Sequence, residues 1–386
     1  MKVLHFINRN KNFHNFYINC QEKFFNGVNE NHFFIVGPEK NGEIKVHYPN
    51  VHVICEEAQL KENSLINKLK AECDIVIVTG MFSMLRKNLL QIIDGVESKT
   101  YLQFWGNDYV DYLPISFAEF VRNTNKTNFK RNTKSFLRNF YSTSNKKQLE
   151  AVIGRCAGVI VLTDGEIEVI KKAFLNAKNY YSVPLSIRLA EVKDTAENVT
   201  DISANANAKG NKKRRVIIGN SATASNRHVA VFNMLRHLNL ENAEIVCPLS
   251  YGDKKYAKEI KAYGVKCFGD NFYSLDELMP SDDYEKLLST CDVGVFYFSR
   301  QQGLGNVGIL LLKGKKVFID KTSPVWNYFT EQGFKVFDAN EIKDMDTEEF
   351  FRMDKAFIDQ NLNATKNKAI HFREKWENFY SEVYKA

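Results

Sequence analysis

The sequence has no apolar run approaching the ~20 residues that span a bilayer, and no closely spaced cysteine pair. Its seven cysteines, at 20, 55, 73, 156, 247, 267 and 291, form an odd, scattered set in mostly apolar surroundings. That pattern argues for reduced thiols, and the absence of C-x-x-C and H-E-x-x-H spacings gives no zinc signature. The opening Lys2–Ile7 run is too short for a signal-peptide core and reads as a first strand, so the chain is expected in the cytoplasm. Carboxylate pairs that would recruit a metal are also lacking. Asp344 and Asp346 precede Thr347-Glu348-Glu349-Phe350-Phe351, and Asp282-Asp283 opens another helical run, so both pairs read as helix starts. No obligatory metal or other cofactor is expected, and no repeat of fixed period is present.

What remains is the composition of a soluble globular protein, 44% hydrophobic and 26% charged over 386 residues, long enough for two domains. Strand-like runs at 2–7, 32–36, 51–54, 74–79, 100–105 and 158–162 alternate with helix-length segments such as 15–26, 64–72 and 84–93. The alternation resumes with strands at 215–219, 244–248, 266–267, 292–298, 316–319 and 335–337 and helices near 226–238, 254–263, 281–289 and 324–331. Such alternation predicts α/β architecture with parallel sheets. Between the two series, residues 189–214 are rich in Asn, Ala and Lys and poor in large apolar residues, and read as a linker or mobile loop. The expected division is a first Rossmann-like domain over 1–188, that linker, a second over 215–365, and a C-terminal helix over 366–386 returning to the first. Two doubly wound domains facing across a cleft is the simplest arrangement.

In open parallel sheets ligands bind beyond the carboxyl ends of strands, where helix N-termini attract anions. The strand ending near Phe298 runs into Arg300, Gln301, Gln302, Gly303, Gly305 and Asn306, a polar turn suited to a phosphorylated ligand. A matching turn follows the first strand of the second half: Gly219, Asn220, Ser221, then Ser225, Asn226 and His228. Its amides, hydroxyls and imidazole suit a diphosphate, whereas Ser225 is equally placed to cap the next helix and His228 to lie on the surface. Tyr251, beyond the strand ending at Pro248, is placed either to stack on a base or bond a phosphate, or to cover a helix end.

The first half holds a dense aromatic and carboxylate cluster around Trp105 and Asp108. Asp108 is a candidate general base toward a hydroxyl, with aromatic faces to receive a sugar ring; the alternative is a capping aspartate beside a core tryptophan. His14, in the turn after the first strand, is a second candidate base; the alternative is a structural histidine. Between Arg122 and Arg155 nine Lys or Arg residues face one acid, Glu150. Lys130, Arg131, Lys134 and Arg138 interleave there with Phe136 and Phe140, the make-up of a segment lying on an anionic membrane. Nucleic acid is the rival partner, a solvated face the third reading.

Gly219-Asn220-Ser221 with Ser225-Asn226-Arg227-His228, Pro248 and Tyr251, Asp282-Asp283-Tyr284, Arg300-Gln301-Gln302-Gly303 with Gly305, and Trp326 with Thr330-Glu331-Gln332 together carry a resemblance. They resemble the bacterial TDP-N-acetylfucosamine:lipid II N-acetylfucosaminyltransferase family, glycosyltransferase family 56. The likeness is specific over about 216–333 and looser in the first half. It implies a GT-B fold, a nucleotide-sugar donor lined by Ser221, Ser225, Asn226, His228, Arg300, Gln301, Gln302 and Gly303, and a polyprenyl-diphosphate-linked saccharide as acceptor; Gly219, Asn220, Tyr251, Gly305, Asn306 and Glu331 are expected to complete the donor pocket. It implies, further, a peripheral protein at the inner face of the cytoplasmic membrane, making surface polysaccharide and handling no nucleic acid. The expected activity is metal-independent transfer of a deoxyamino sugar, TDP-linked by resemblance, to an acceptor hydroxyl. The alternatives are a non-catalytic nucleotide-sugar-binding protein and a nucleic-acid-binding protein working through the basic segment.

Overall fold

The structure is a computed structural model that describes residues 1–10, 13–39, 43–61, 63–80, 87–105, 109, 147–185 and 213–385. Two compact units emerge. Among the described residues, the first holds those within 1–109, 147–185 and 369–385, and the second those within 213–368.

The sheet of the first unit has seven strands: β1 (Lys2–Asn8), β2 (Glu30–Val36), β3 (Val51–Ile54), β4 (Ile75–Thr79), β5 (Thr100–Gln103), β6 (Gly158–Val161) and β7 (Tyr180–Ser182). Their order is β3-β2-β1-β4-β5-β6-β7, and every pairing is parallel. The central strands are continuous apolar runs because helices cover both faces of such a sheet; Ile75–Val78 is at most 3% exposed.

The second unit has six strands: β8 (Arg214–Ile218), β9 (Ala243–Pro248), β10 (Phe272–Leu275), β11 (Val293–Phe296), β12 (Lys316–Ile319) and β13 (Phe337–Asp338). The order β10-β9-β8-β11-β12-β13, again all parallel, is that of a six-stranded dinucleotide-type fold. Strand order reverses between β8 and β11, whose Val216, Ile217 and Ile218 pair with Val293, Gly294 and Val295. The two expected ligand turns therefore leave neighbouring strands at the switch point.

Helices α1 (Phe13–Phe25), α2 (Ser64–Glu72) and α3 (Ile167–Ala173) belong to the first unit. In the second unit α4 (His228–Leu235), α5 (Lys254–Phe268), α6 (Ser281–Thr290), α7 (Leu304–Leu312) and α8 (Pro324–Glu331) follow successive strands. Ser323 caps α8 by accepting the Val325 N–H, with Pro324 in its first turn, as its start signal predicts. Asp346 caps Thr347–Phe351 and Asp282-Asp283 lies in the first turn of α6, so both acidic pairs are helix starts.

Two expectations need correction. The strand expected at 266–267 is the last turn of α5, because Tyr256, Ile260, Tyr263, Cys267 and Phe268 form one helical face against the core. Gly269, at φ +55, then ends the helix, and the strand is Phe272–Leu275 instead. The last helix, α9, runs from Lys355 to Lys385 rather than starting near 366. Its early turns serve the second unit, where buried Asn361 bonds both Lys335 N–H (2.6 Å) and Lys335 carbonyl (3.2 Å). Its later turns serve the first, where fully buried Trp376 donates to the Pro184 carbonyl (3.0 Å) and packs on Tyr17 and Tyr380. No described helix is long and apolar enough to cross a membrane.

Candidate active site

Gly219 ends β8 with φ +69, a conformation that costs an L side chain. A Cβ there would also lie 2.7 Å from Asn226 Oδ1 and 2.8 Å from His228 Nε2. Asn226, fully buried, organises the turn: its Oδ1 accepts the Asn220 N–H (2.9 Å), and its Nδ2 donates to the Ser221 carbonyl (3.0 Å) and Thr223 Oγ1 (2.8 Å). Hydroxyls continue outward from Ser221 to Thr223 (3.1 Å) and from Thr223 to Ser225 (3.1 Å).

Ser225 then links this turn to the one after β11. Its hydroxyl donates to Gln302 Oε1 (2.8 Å), and its carbonyl accepts the Ser299 N–H (3.0 Å). Ser225 is thus no helix cap; α4 starts from Arg227, which lies in the left-handed region (φ 51, ψ 40) without a capping side-chain bond. The structure brings the two expected turns together, 77 residues apart in sequence.

In the β11 turn, Gly303 (φ +67) precedes α7, and a Cβ there would strike the Phe298 ring at 2.6 Å. Arg300 Nη1 bonds the Gln301 carbonyl (3.1 Å), and Asn306 Nδ2 donates to Tyr284 Oη (2.8 Å). Gly305 is exposed in the first turn of α7. Tyr251, 43% exposed, accepts from Asn220 Nδ2 (2.9 Å), which joins it to the turn after β8. Glu331 ends α8, the helix after β12, and is exposed. In these two turns Asn220 Oδ1, His228 Nε2 and Gln302 Nε2 are buried and have no hydrogen-bond partner. His228 is fully buried, and that desolvation pulls its imidazole down to about 3, so the ring is neutral near pH 7.

Sequence reasoning gave Arg227 no role of its own. Its guanidinium pairs with Asp320 (2.6 Å) and lies 5.0 Å over the Tyr297 ring, contacts that no local pattern announces.

In the first unit, His14 is fully buried, with Nε2 3.1 Å from the Glu43 carbonyl. A carbonyl only accepts, so Nε2 carries the hydrogen and Nδ1 holds the lone pair, which has no partner. Burial and then nearby Arg9 hold this imidazole below its usual range. Trp105 is 8% exposed, donates to Thr79 Oγ1 (2.8 Å) and packs on Gly80 (φ +78), where a Cβ would meet its ring at 2.9 Å. Tyr109 donates to Glu166 Oε1 (2.7 Å), and burial pushes this carboxyl up to about 7; sequence reasoning had no signal for that pair. Asp108, Lys130, Arg131, Lys134, Phe136, Arg138 and Phe140 lie outside the described residues. Among the described residues, no three His, Cys, Asp or Glu side chains gather as a metal site.

Solved structures share this architecture along the whole chain. Sucrose-phosphate synthase from Thermosynechococcus elongatus matches with a TM-score of 0.65 at 10% identity, covering 100% of this chain and 99% of its own. HepE of Anabaena, in complex with UDP and glucose, gives 0.59 at 14% identity over 99% and 100%. WaaG, a glycosyltransferase involved in lipopolysaccharide biosynthesis, gives 0.57 at 11% identity over 98% and 99%. With two doubly wound parallel sheets and paired polar turns at a switch point, the protein has the GT-B fold. Residues 190–384, about half the chain, match the model of the 4-alpha-L-fucosyltransferase glycosyl transferase group 56 family, and the chain belongs to that family.

Proposed function

We propose that the second unit binds the diphosphate of a nucleotide-sugar and that the protein transfers its sugar to a hydroxyl of a lipid-linked saccharide. The observation that carries this reading is the set of unpartnered buried atoms, Asn220 Oδ1, His228 Nε2 and Gln302 Nε2, at the ends of β8 and β11. Buried polar groups are normally paired, so such a set belongs where a polar ligand sits. The UDP and glucose named with HepE support a nucleotide ligand, and family membership supports a fucose-type sugar; its TDP link and amino substituent are our assignment from the sequence resemblance.

In this reading an acceptor oxygen attacks the anomeric carbon as the bond to the diphosphate breaks. Negative charge develops on the departing diphosphate, and Arg300, the neutral His228 N–H and the Ser221 and Ser225 turn stabilise it there. Gly303 at the start of α7 adds main-chain donors, and no metal is needed for this charge. The acceptor's proton passes to a base. Asp108 is our first assignment and the Nδ1 lone pair of His14 the second. Residues 122–155 would bring the protein to the anionic inner face of the cytoplasmic membrane, where a polyprenyl-diphosphate acceptor resides.

The test is thermal-shift titration with TDP, UDP and GDP, with and without EDTA, on the wild type, Arg300→Ala and Gln302→Ala. Stabilisation by one nucleotide that both variants lose supports the donor site; absence of any shift in the wild type ends the reading. Transfer to a lipid-linked acceptor by Asp108→Asn and His14→Gln then separates the two bases.

A further inference from the structure

His228 opens α4, and its Nδ1 lies 3.1 Å from the Tyr256 hydroxyl on α5. The other ring nitrogen, Nε2, is buried without a partner and faces Gly219, 2.8 Å from where a Cβ would stand. The ring itself is fully buried, with Phe232 and Tyr256 beside it at centroid distances of 6.3 and 5.7 Å. A neutral imidazole carries one ring hydrogen, and the partner of one nitrogen decides where it sits. A Tyr256 hydroxyl that donates to Nδ1 leaves the ring hydrogen on Nε2, the nitrogen that faces Gly219.

We propose that Tyr256 is a positioning residue: its hydroxyl fixes the orientation and tautomer of His228, so that Nε2–H is a permanent neutral donor to an anionic oxygen seated over Gly219. The inference rests on the proposed donor site for the identity of that oxygen, and on the Tyr256–His228 geometry alone for the tautomer. Tyr256 lies on α5, outside both ligand turns. A neutral donor suits a site that must release a diphosphate after every turnover, since it holds the anion without the full attraction of a cation.

Two measurements test this. Nitrogen-15 NMR of the ring, assigned by difference from His228→Ala, should show Nε2 protonated and Nδ1 as the acceptor at neutral pH. A hydrogen on Nδ1 overturns the proposal. Second, Tyr256→Phe should weaken TDP or UDP binding about five- to tenfold, the scale of one hydrogen bond. The same change made in His228→Ala should cost nothing further, because Tyr256 acts through the imidazole. Additive losses would make Tyr256 merely structural and overturn the assignment. If no nucleotide binds the wild type, the donor-site reading fails and the role toward an anion with it, while the NMR result still decides the tautomer.

Discussion

Arg227 Nη1 and Asp320 Oδ2 meet at 2.6 Å with side chains only 6% and 3% exposed. The pair joins the turn after β8 to the end of β12, across the intervening β11. Asp320 is held on its far side as well, its Oδ1 accepting the Thr322 N–H (2.9 Å) and hydroxyl (2.8 Å). Arg227 is the only described non-glycine residue at positive φ, and it sits between Asn226 and His228. The ion pair thus holds a strained backbone position that sets both neighbours.

Breaking that pair from one side should be severe. Asp320→Ala leaves a buried guanidinium without its counter-charge, which typically costs about 3–5 kcal/mol. Replacing both residues with apolar ones of similar volume should cost much less. Urea unfolding of the wild type and the two variants checks the order. A loss under about 1 kcal/mol for Asp320→Ala would mean that the pair is solvated.

Gly219→Ala should separate the turn from the fold. The left-handed backbone costs an L residue roughly 1–2 kcal/mol, and the new methyl meets Asn226 Oδ1 and His228 Nε2 at 2.7 and 2.8 Å. The expected outcome is a folded protein with a lowered melting temperature and no nucleotide-induced shift. Gly305→Ala is the control for strain, since a Cβ there meets nothing within 4 Å. It should keep or slightly raise stability, by up to ~1 kcal/mol. A lost nucleotide response in that variant would place ligand against Gly305.

The turns after β8 and β11 are legible in the sequence because each is a local event, an apolar run followed by glycine and polar residues, and sheet order then makes them neighbours. What joins them is not local. Ser225 meets Gln302 77 residues away and Arg227 meets Asp320 93 residues away, and neither residue has a distinguishing local context. Periodicity misleads at Lys266–Cys267 for a different reason: a short apolar run fits a strand or a helical face equally, and Gly269 decides between them. Half of the expected catalytic pair, Asp108, lies outside the described residues.

Glu166 should make the protein less stable as pH rises. Its carboxyl is fully buried and, though it accepts from Tyr109 and from the Thr163 N–H and hydroxyl, it is pushed up to about 7 from an ordinary 4.5. The folded state therefore holds this proton more tightly than the unfolded chain. Its contribution is complete below pH 4.5 and is lost as pH climbs through about 7, on the order of 3 kcal/mol in all. Glu166→Gln mimics the neutral form, its amide able to donate to Tyr109, and should flatten the stability profile across that window. An unchanged slope would show that the carboxyl is ionised when folded.

The buried histidines should act in the opposite sense. His228 and His5 are both lowered from 6.5 to about 3 by burial, so the folded state resists protons that the unfolded chain accepts. Their contribution is complete above pH 6.5 and is lost as pH falls toward 3. For His228 this has a consequence at the ligand site: the imidazole gains no charge between pH 5.5 and 8, so affinity for a nucleotide-sugar should be flat there. A nucleotide-sugar is the right probe because, unlike a free nucleoside diphosphate, it has no terminal phosphate group titrating in that range. Isothermal titration at half-unit steps checks it. An affinity that strengthens below pH 6.5 and loses that trend in His228→Gln would mean that the ring opens to solvent and binds as a cation. The neutral-donor geometry set by Tyr256 would then be wrong for the bound state.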